Sequence, residues 1–100
     1  MDSTITLIRQ TYTVNTIGEQ IPVEQQAEVF CQIQSVSGEE WERAARNDLQ
    51  AVFRAVMPGI NYSGERVVEY NGTRYSVYRV YHRDDSDLIE LYIEAKAGVV

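Results

Sequence analysis

The sequence predicts a mostly β fold: a small antiparallel β-barrel or sandwich of about six strands, with one short α-helix inserted between strands 2 and 3. Three observations carry that expectation. Asn71-Gly72 lies between two alternating runs, Val67-Val68-Glu69-Tyr70 and Thr73-Arg74-Tyr75, and such a pair is a strong hairpin signal because a type I′ turn needs positive φ at both central positions. A second turn, Asp84-Asp85-Ser86-Asp87, returns the chain through Ile89-Glu90-Leu91-Tyr92 as the third strand of a meander. Helical spacing is confined to one stretch, where Trp41, Ala44, Ala45 and Leu49 recur on one side.

Taken in order, residues 4–15 alternate imperfectly and read as the first strand. Gly18 with Glu19-Gln20 reads as a turn, and Pro22 argues that the chain beyond it begins at an edge. Residues 28–36 form the expected second strand, with Val29, Cys31 and Ile33 on one face. Ser37-Gly38-Glu39-Glu40 then fits a capping box: the Ser37 hydroxyl bonds the N–H of Glu40 while that glutamate reaches back. Glu39 and Glu40 also suit the positive end of the helix dipole. The helix itself, about residues 38–46, is under three turns and must lean on another element. Its Glu39–Arg43 and Glu42–Arg46 pairs have the favourable i,i+4 order. Strands over 51–57, 66–70, 74–83 and 88–96 complete the domain, with a loop at 59–65. The expected core comprises Leu7, Val29, Cys31, Ile33, Phe53, Ala55, Val68, Val77, Ile89, Leu91 and Ile93. Both faces of the 75–81 strand carry aromatics, so its inward face stays open.

One hundred residues correspond to one domain, 1–100, with an expected radius of gyration of about 13 Å. A net charge of −6 disfavours bare nucleic acid, where affinity comes mainly from Lys and Arg displacing counterions. Cys31 is the single cysteine and His82 the single histidine, so a Cys/His zinc site within one chain is excluded by ligand number. Met1-Asp2-Ser3-Thr4 lacks the basic and apolar regions of a signal peptide, and no apolar run approaches the ~20 residues of a membrane span. The expectation is a chain used in the cytoplasm or inside a particle assembled there.

Chemistry is thinly represented. His82 as a general base, oriented by Asp84, Asp85 or Asp87, is outweighed by an exposed strand end followed by a solvated turn. The same acidic turn lacks the glycine and distal glutamate of a calcium loop. Cys31 sits on an apolar face, as a buried thiol does rather than a nucleophile. No glycine-rich phosphate cradle is present. The sequence therefore predicts no enzyme, no cofactor and no metal. Tyrosines interleaved with Arg74, Arg79 and Arg83 raise a different possibility, a small-barrel module that stacks single-stranded nucleic acid or binds peptide; the net charge opposes nucleic acid, and cross-strand aromatic packing is the simpler account of them. The helix is the best functional candidate: Trp41 stands beside Arg43 and Arg46, residue types enriched at interface hot spots. A helix plugging one barrel end with Trp41 inside is the structural alternative.

The run Glu69-Tyr70-Asn71-Gly72-Thr73-Arg74-Tyr75-Ser76-Val77-Tyr78-Arg79-Val80-Tyr81, the acidic turn after it, and Ile89-Glu90-Leu91-Tyr92-Ile93-Glu94-Ala95-Lys96-Ala97-Gly98-Val99 together resemble the small head-closure (head–tail joining) proteins of long-tailed bacteriophages and prophages. The N-terminal strand ending at Gly18-Glu19-Gln20, the strand entering Ser35-Val36-Ser37 and the helix at Glu39-Glu40-Trp41 are similar in type and order, so the likeness covers most of the chain. It implies a structural virion neck protein, assembled in the host cytoplasm. Such a protein forms a ring of its own copies, twelve-fold by the same resemblance, beneath the portal and its adaptor (the connector). A tail-completion or tail-terminator protein would dock on the opposite side. Packaged DNA would pass the channel without sequence-specific binding, and no membrane would be involved. By that resemblance residues 35–50 face the channel, making Ser37, Glu39, Glu40, Trp41, Arg43 and Arg46 gating candidates. The N-terminal arm, through Ile5 and Leu7, and the tail residues Gly98, Val99 and Val100 are expected to dock onto neighbouring rings.

Overall fold

The computed structural model describes residues 2–95, so the tail candidates Gly98, Val99 and Val100 lie outside the described residues. Six antiparallel strands close into a barrel in the order β1-β2-β3-β6-β5-β4, as the sequence predicts, with one helix between β2 and β3. The strands are β1 (Asp2–Val14), β2 (Gln20–Gln34), β3 (Ala51–Pro58), β4 (Val67–Tyr70), β5 (Thr73–His82) and β6 (Leu88–Glu94), and the helix α1 is Gly38–Arg46. Closure joins β1 to β4 through Thr6↔Glu69, Leu7↔Val68 and Ile8↔Val67, leaving the meander β4-β5-β6 paired as expected. Asn71 and Gly72 take the positive φ values, 52° and 79°, that their turn requires.

Inside the barrel, Ile5, Leu7, Cys31, Phe53, Ala55, Met57, Val68, Ile89, Leu91 and Ile93 form one contiguous core, flanked by Val29, Ile33, Val77 and Val80. Phe53 packs against Tyr70 and Tyr75, with ring centroids 5.5 and 5.3 Å apart, so the meander's first tyrosines are core aromatics. Burial pushes the Cys31 thiol up to about 11, where it stays protonated and inert. Ile5 and Leu7, each 1% exposed, lie in this core; that is the place alternation predicts for Leu7, and it corrects the expectation, implied by the resemblance, that the two dock onto a neighbour. The odd residues of β1 point into the barrel, and once β1 is a barrel wall its apolar face is already covered.

The longest departure from the sequence reading is the first hairpin. β2 begins at Gln20, eight residues earlier than expected, and pairs with β1 without interruption from Asp2↔Gln32 to Val14↔Gln20. Asn15 builds the turn: its Oδ1 accepts from the N–H of Ile17 (3.1 Å) and of Glu19 (2.8 Å), while Gly18 takes a φ of 85°. Barrel pairing of β1 stops at Ile8, and that of β2 starts at Gln32. Residues 9–25 therefore project as a two-stranded ribbon. Six residues of β1 at ~3.4 Å each extend it ~20 Å, which matches a molecule measuring 52 × 30 × 26 Å.

The inward face of β5 is decided by a bulge. The register with β6 shifts between Val77↔Ile93 and Arg79↔Tyr92. Val77 and Val80 both face the core, and the extra residue lets Tyr78 and Arg79 stand together on the outside.

Candidate functional site

The helix is where the polar chemistry gathers. Ser37 caps it, its hydroxyl accepting from the Glu40 N–H at 3.1 Å. The helix ends in a Schellman arrangement: the Leu49 N–H donates to the Ala44 carbonyl at 2.9 Å and the Asp48 N–H to that of Ala45 at 3.1 Å, with Asp48 at a φ of 59°.

Glu40 does not reach back in a capping box. Its side chain, 6% exposed, turns onto the barrel, accepting a hydrogen bond from the Tyr78 hydroxyl at 2.7 Å and an ion-paired one from Arg79 Nη2. Arg79 in turn lies over the Tyr92 ring, 4.0 Å from its centroid. Burial, then the hydrogen bond to Glu40, pushes the Tyr78 phenol far up, so it remains a donor. The bulge is thus what lets two consecutive β5 residues grip one carboxylate, and a short helix that could not stand alone is pinned to the barrel wall. Arg43 leans on Glu40 at 4.0 Å instead of on Glu39 as expected, and Arg46 pairs with Glu42 at 3.9 Å.

A second buried carboxylate, Glu90, forms a parallel node on β6. It accepts from the Tyr92 hydroxyl (2.7 Å), Arg83 Nε (2.8 Å) and Arg54 Nη1 (3.3 Å), and Arg54 Nε extends the chain to Gln34 at 2.8 Å. Burial raises the Glu90 carboxyl, but the bonds from Tyr92 and Arg83 and the charges of Arg54 and Arg83 together hold it below its usual value. Both carboxylates are engaged by cations and phenols, an arrangement that fastens elements together.

Trp41 is 56% exposed, so the helix does not plug the barrel with its indole. Glu40 and Ala44 are the residues that face the wall, and the indole lines an open concavity of about 760 Å³ with Ala45, Asp48, Leu49 and Val52. Of the six helix candidates, Ser37 is the cap and Glu40 the clasp; Glu39, Trp41, Arg43 and Arg46 face solvent. Each arginine interleaved with the tyrosines has an acidic partner: Arg74 meets Glu24 (2.6 Å) and Glu69 (3.7 Å), Arg79 meets Glu40, and Arg83 meets Glu90. His82 is exposed, and the neighbouring turn is tied by Ser86, whose Oγ accepts from the Leu88 N–H at 3.0 Å. Among the described residues, no group of three or more His, Cys, Asp or Glu side chains is placed to hold a metal ion, and no helix is long and apolar enough to cross a membrane.

The sequence reading missed the ribbon, which carries the largest run of exposed apolar side chains: Tyr12, Val14, Ile17, Ile21 and Val23. Its one local signal was the turn chemistry of Asn15 followed by Gly18. The site therefore has two parts, a clasped helix presenting Trp41 and a projecting apolar ribbon. These features define a small closed β-barrel with two exposed apolar elements. The chain matches no protein-family model and no curated protein sequence.

Proposed function

We propose that this chain is a structural subunit of a tailed-phage or prophage neck, which forms a ring under the portal and adaptor, closes the DNA-filled head and offers the tail its docking surface. The observation that carries this reading is the disposition of large apolar side chains. Tyr12, Val14, Ile17, Phe30, Trp41 and Ile60 are each more than half exposed. Exposure on this scale in so small a domain marks surfaces that other proteins cover. The buried carboxylates, meanwhile, are occupied in holding the helix and sheet in place.

In this role the helix segment 35–50 faces the channel with Glu39, Glu42, Arg43 and Arg46 in solvent. An overall charge of −6 lets packaged DNA pass without adhering. The connector and a tail-completion or tail-terminator protein are the partners on either side. A nucleic-acid or peptide module has weaker support, because the arginines that would contact phosphate already face carboxylates.

The test is size-exclusion chromatography with light scattering, on the protein alone and mixed with the portal–adaptor complex from its own genome neighbourhood. A ring-sized complex in the mixture is the expected result. No association with a portal that is otherwise competent overturns the reading. A steeply salt-dependent gain in anisotropy of a labelled single-stranded oligonucleotide favours the module instead.

A further inference from the structure

The direction of β6 carries the chain to the Trp41 concavity. The Ala95 N–H donates to the Gln50 carbonyl at 2.8 Å, one step beyond Ala51↔Glu94, so the β3–β6 ladder persists to the last described residue. In that register the positions after Gln50 are Leu49 and then Asp48, and both line the concavity with Trp41, Ala45, Val52 and Ala95 itself. Asp48 and Ala95 also share an adjoining hollow of about 330 Å³ with Gln50 and Glu94. We propose that the chain's own residues 96–100 seat here, with Lys96 beside Asp48 and Val99 and Val100 against Trp41, so that the tail caps this surface in the free protein.

Four observations select this occupant. The segment starts at the rim, so its effective concentration there is about millimolar without any second molecule. Its five residues at ~3.3 Å each reach ~16 Å, whereas Trp41 and Ala45 stand one turn apart, ~6 Å along the helix. Charge is complementary: Lys96 is the chain's one lysine and Asp48 lines the concavity, while Arg43 and Arg46 lean on Glu40 and Glu42. Size and polarity agree as well. Trp41, Ala45, Leu49 and Val52 form an apolar wall in an opening of about 760 Å³, and Ala97, Val99 and Val100 are apolar side chains small enough to enter it.

Ordering the segment costs backbone entropy that offsets much of what two buried valines and one ion pair supply. The contact is therefore weak enough to be exchanged, and it works as an autoinhibitory cap: Trp41 becomes available to a partner that binds the surface more strongly than the tail does. The inference does not rest on the neck role. It concerns what covers Trp41 in the free chain, whatever the released surface then meets.

Trp41 is the one tryptophan, so its emission reads the seating directly. The comparison is between the full chain, a chain ending at Ala95 and the full-length V99S/V100S variant. Each is followed by emission maximum and acrylamide quenching over roughly 1 to 100 μM protein, a range that separates contacts within a chain from weak pairing between chains. The expected result is bluer emission and slower quenching in the full chain. Both variants should shift to the red and quench faster, by an amount that does not change with concentration. V99S/V100S leaves every described residue unchanged, so the test stands even where shortening impairs folding. In low salt K96R should behave as the parent and K96E should move toward the shortened chain. Equal emission and quenching in the full chain and both variants would overturn the proposal. A difference that grows with concentration would mean that residues 96–100 of a second copy fill the concavity, which also overturns it. An unchanged K96E would overturn the pairing of Lys96 with Asp48.

Discussion

Tyr78 and Arg79 are consecutive in β5 yet stand on the same outer face and both donate to Glu40 of the helix. In a regular strand their side chains would point to opposite faces. The register shift after Val77 removes that conflict, and a β-bulge thereby becomes the seat of a helix. Replacing Glu40 by Ala leaves Arg79 facing the barrel without its carboxylate, at an expected cost of about 2–4 kcal/mol. Urea unfolding measures the cost, and amide exchange over 38–46 should quicken more than exchange in the core strands. A change below about 0.5 kcal/mol, the level of ordinary surface substitutions, would show that the clasp does not anchor the helix.

Glu90 carries a pH prediction. Its folded pKa lies below the ordinary 4.5 because the Tyr92, Arg83 and Arg54 interactions outweigh its burial. The contribution of a carboxylate with a depressed folded pKa is fully present above the unfolded value and is lost as pH falls through the folded one. Thermal melts of the wild type should therefore drop on acidification below about pH 4.3. The E90Q variant should melt lower at neutral pH and lose less between those conditions. Parallel slopes for the two proteins would show that Glu90 does not contribute to acid sensitivity.

The ribbon should be separable from the barrel. Replacing residues 10–24 by Asn-Gly joins Arg9 and Gln25, which already face each other in the ladder, through a two-residue turn. The deletion removes the Glu24–Arg74 pair, an exposed contact whose loss the barrel should tolerate. The shortened protein should keep its circular dichroism and a cooperative melt near the parent's. Loss of folding would show that the ribbon is part of the stability core.

Two turn substitutions should move stability in opposite directions. Asp48 holds a left-handed conformation, φ 59°, at the position after the helix cap where glycine is preferred, so D48G should stabilise by up to about 1 kcal/mol. Gly72, at φ 79°, has no heavy atom within 4 Å of where a Cβ would lie, so G72A should cost about 1–2 kcal/mol from backbone strain alone. Denaturant midpoints read both.

Core and surface apolar residues should respond differently to truncation. Leu91 is fully buried in the barrel, and L91A should cost about 2–5 kcal/mol. Phe30 is 78% exposed on the outer face of β2, so F30A should fall within about 0.5 kcal/mol of the parent in the free protein. A large loss from F30A would place Phe30 in an internal contact.

Local chemistry was enough to specify the turns, the helix and the strand faces. Asn71-Gly72 dictates its hairpin because few residues tolerate positive φ, and Ser37 dictates a helix start because its hydroxyl satisfies an otherwise orphaned N–H. Alternation likewise made most of the core legible, from Val29 and Cys31 through Leu91 and Ile93. The sequence alone thus determined a small antiparallel β fold with one inserted helix. The ribbon escaped notice because burial is what writes a period-two pattern, and Gln20–Ala27 is buried on neither face. Only the tertiary structure decided that Ile5 joins Leu7 inside the barrel, that Glu40 leaves its capping role for Tyr78 and Arg79, and that Trp41 stays in solvent. Each outcome depends on which strands become neighbours across the closed barrel, a matter of contacts between residues far apart in the chain that no local spacing encodes.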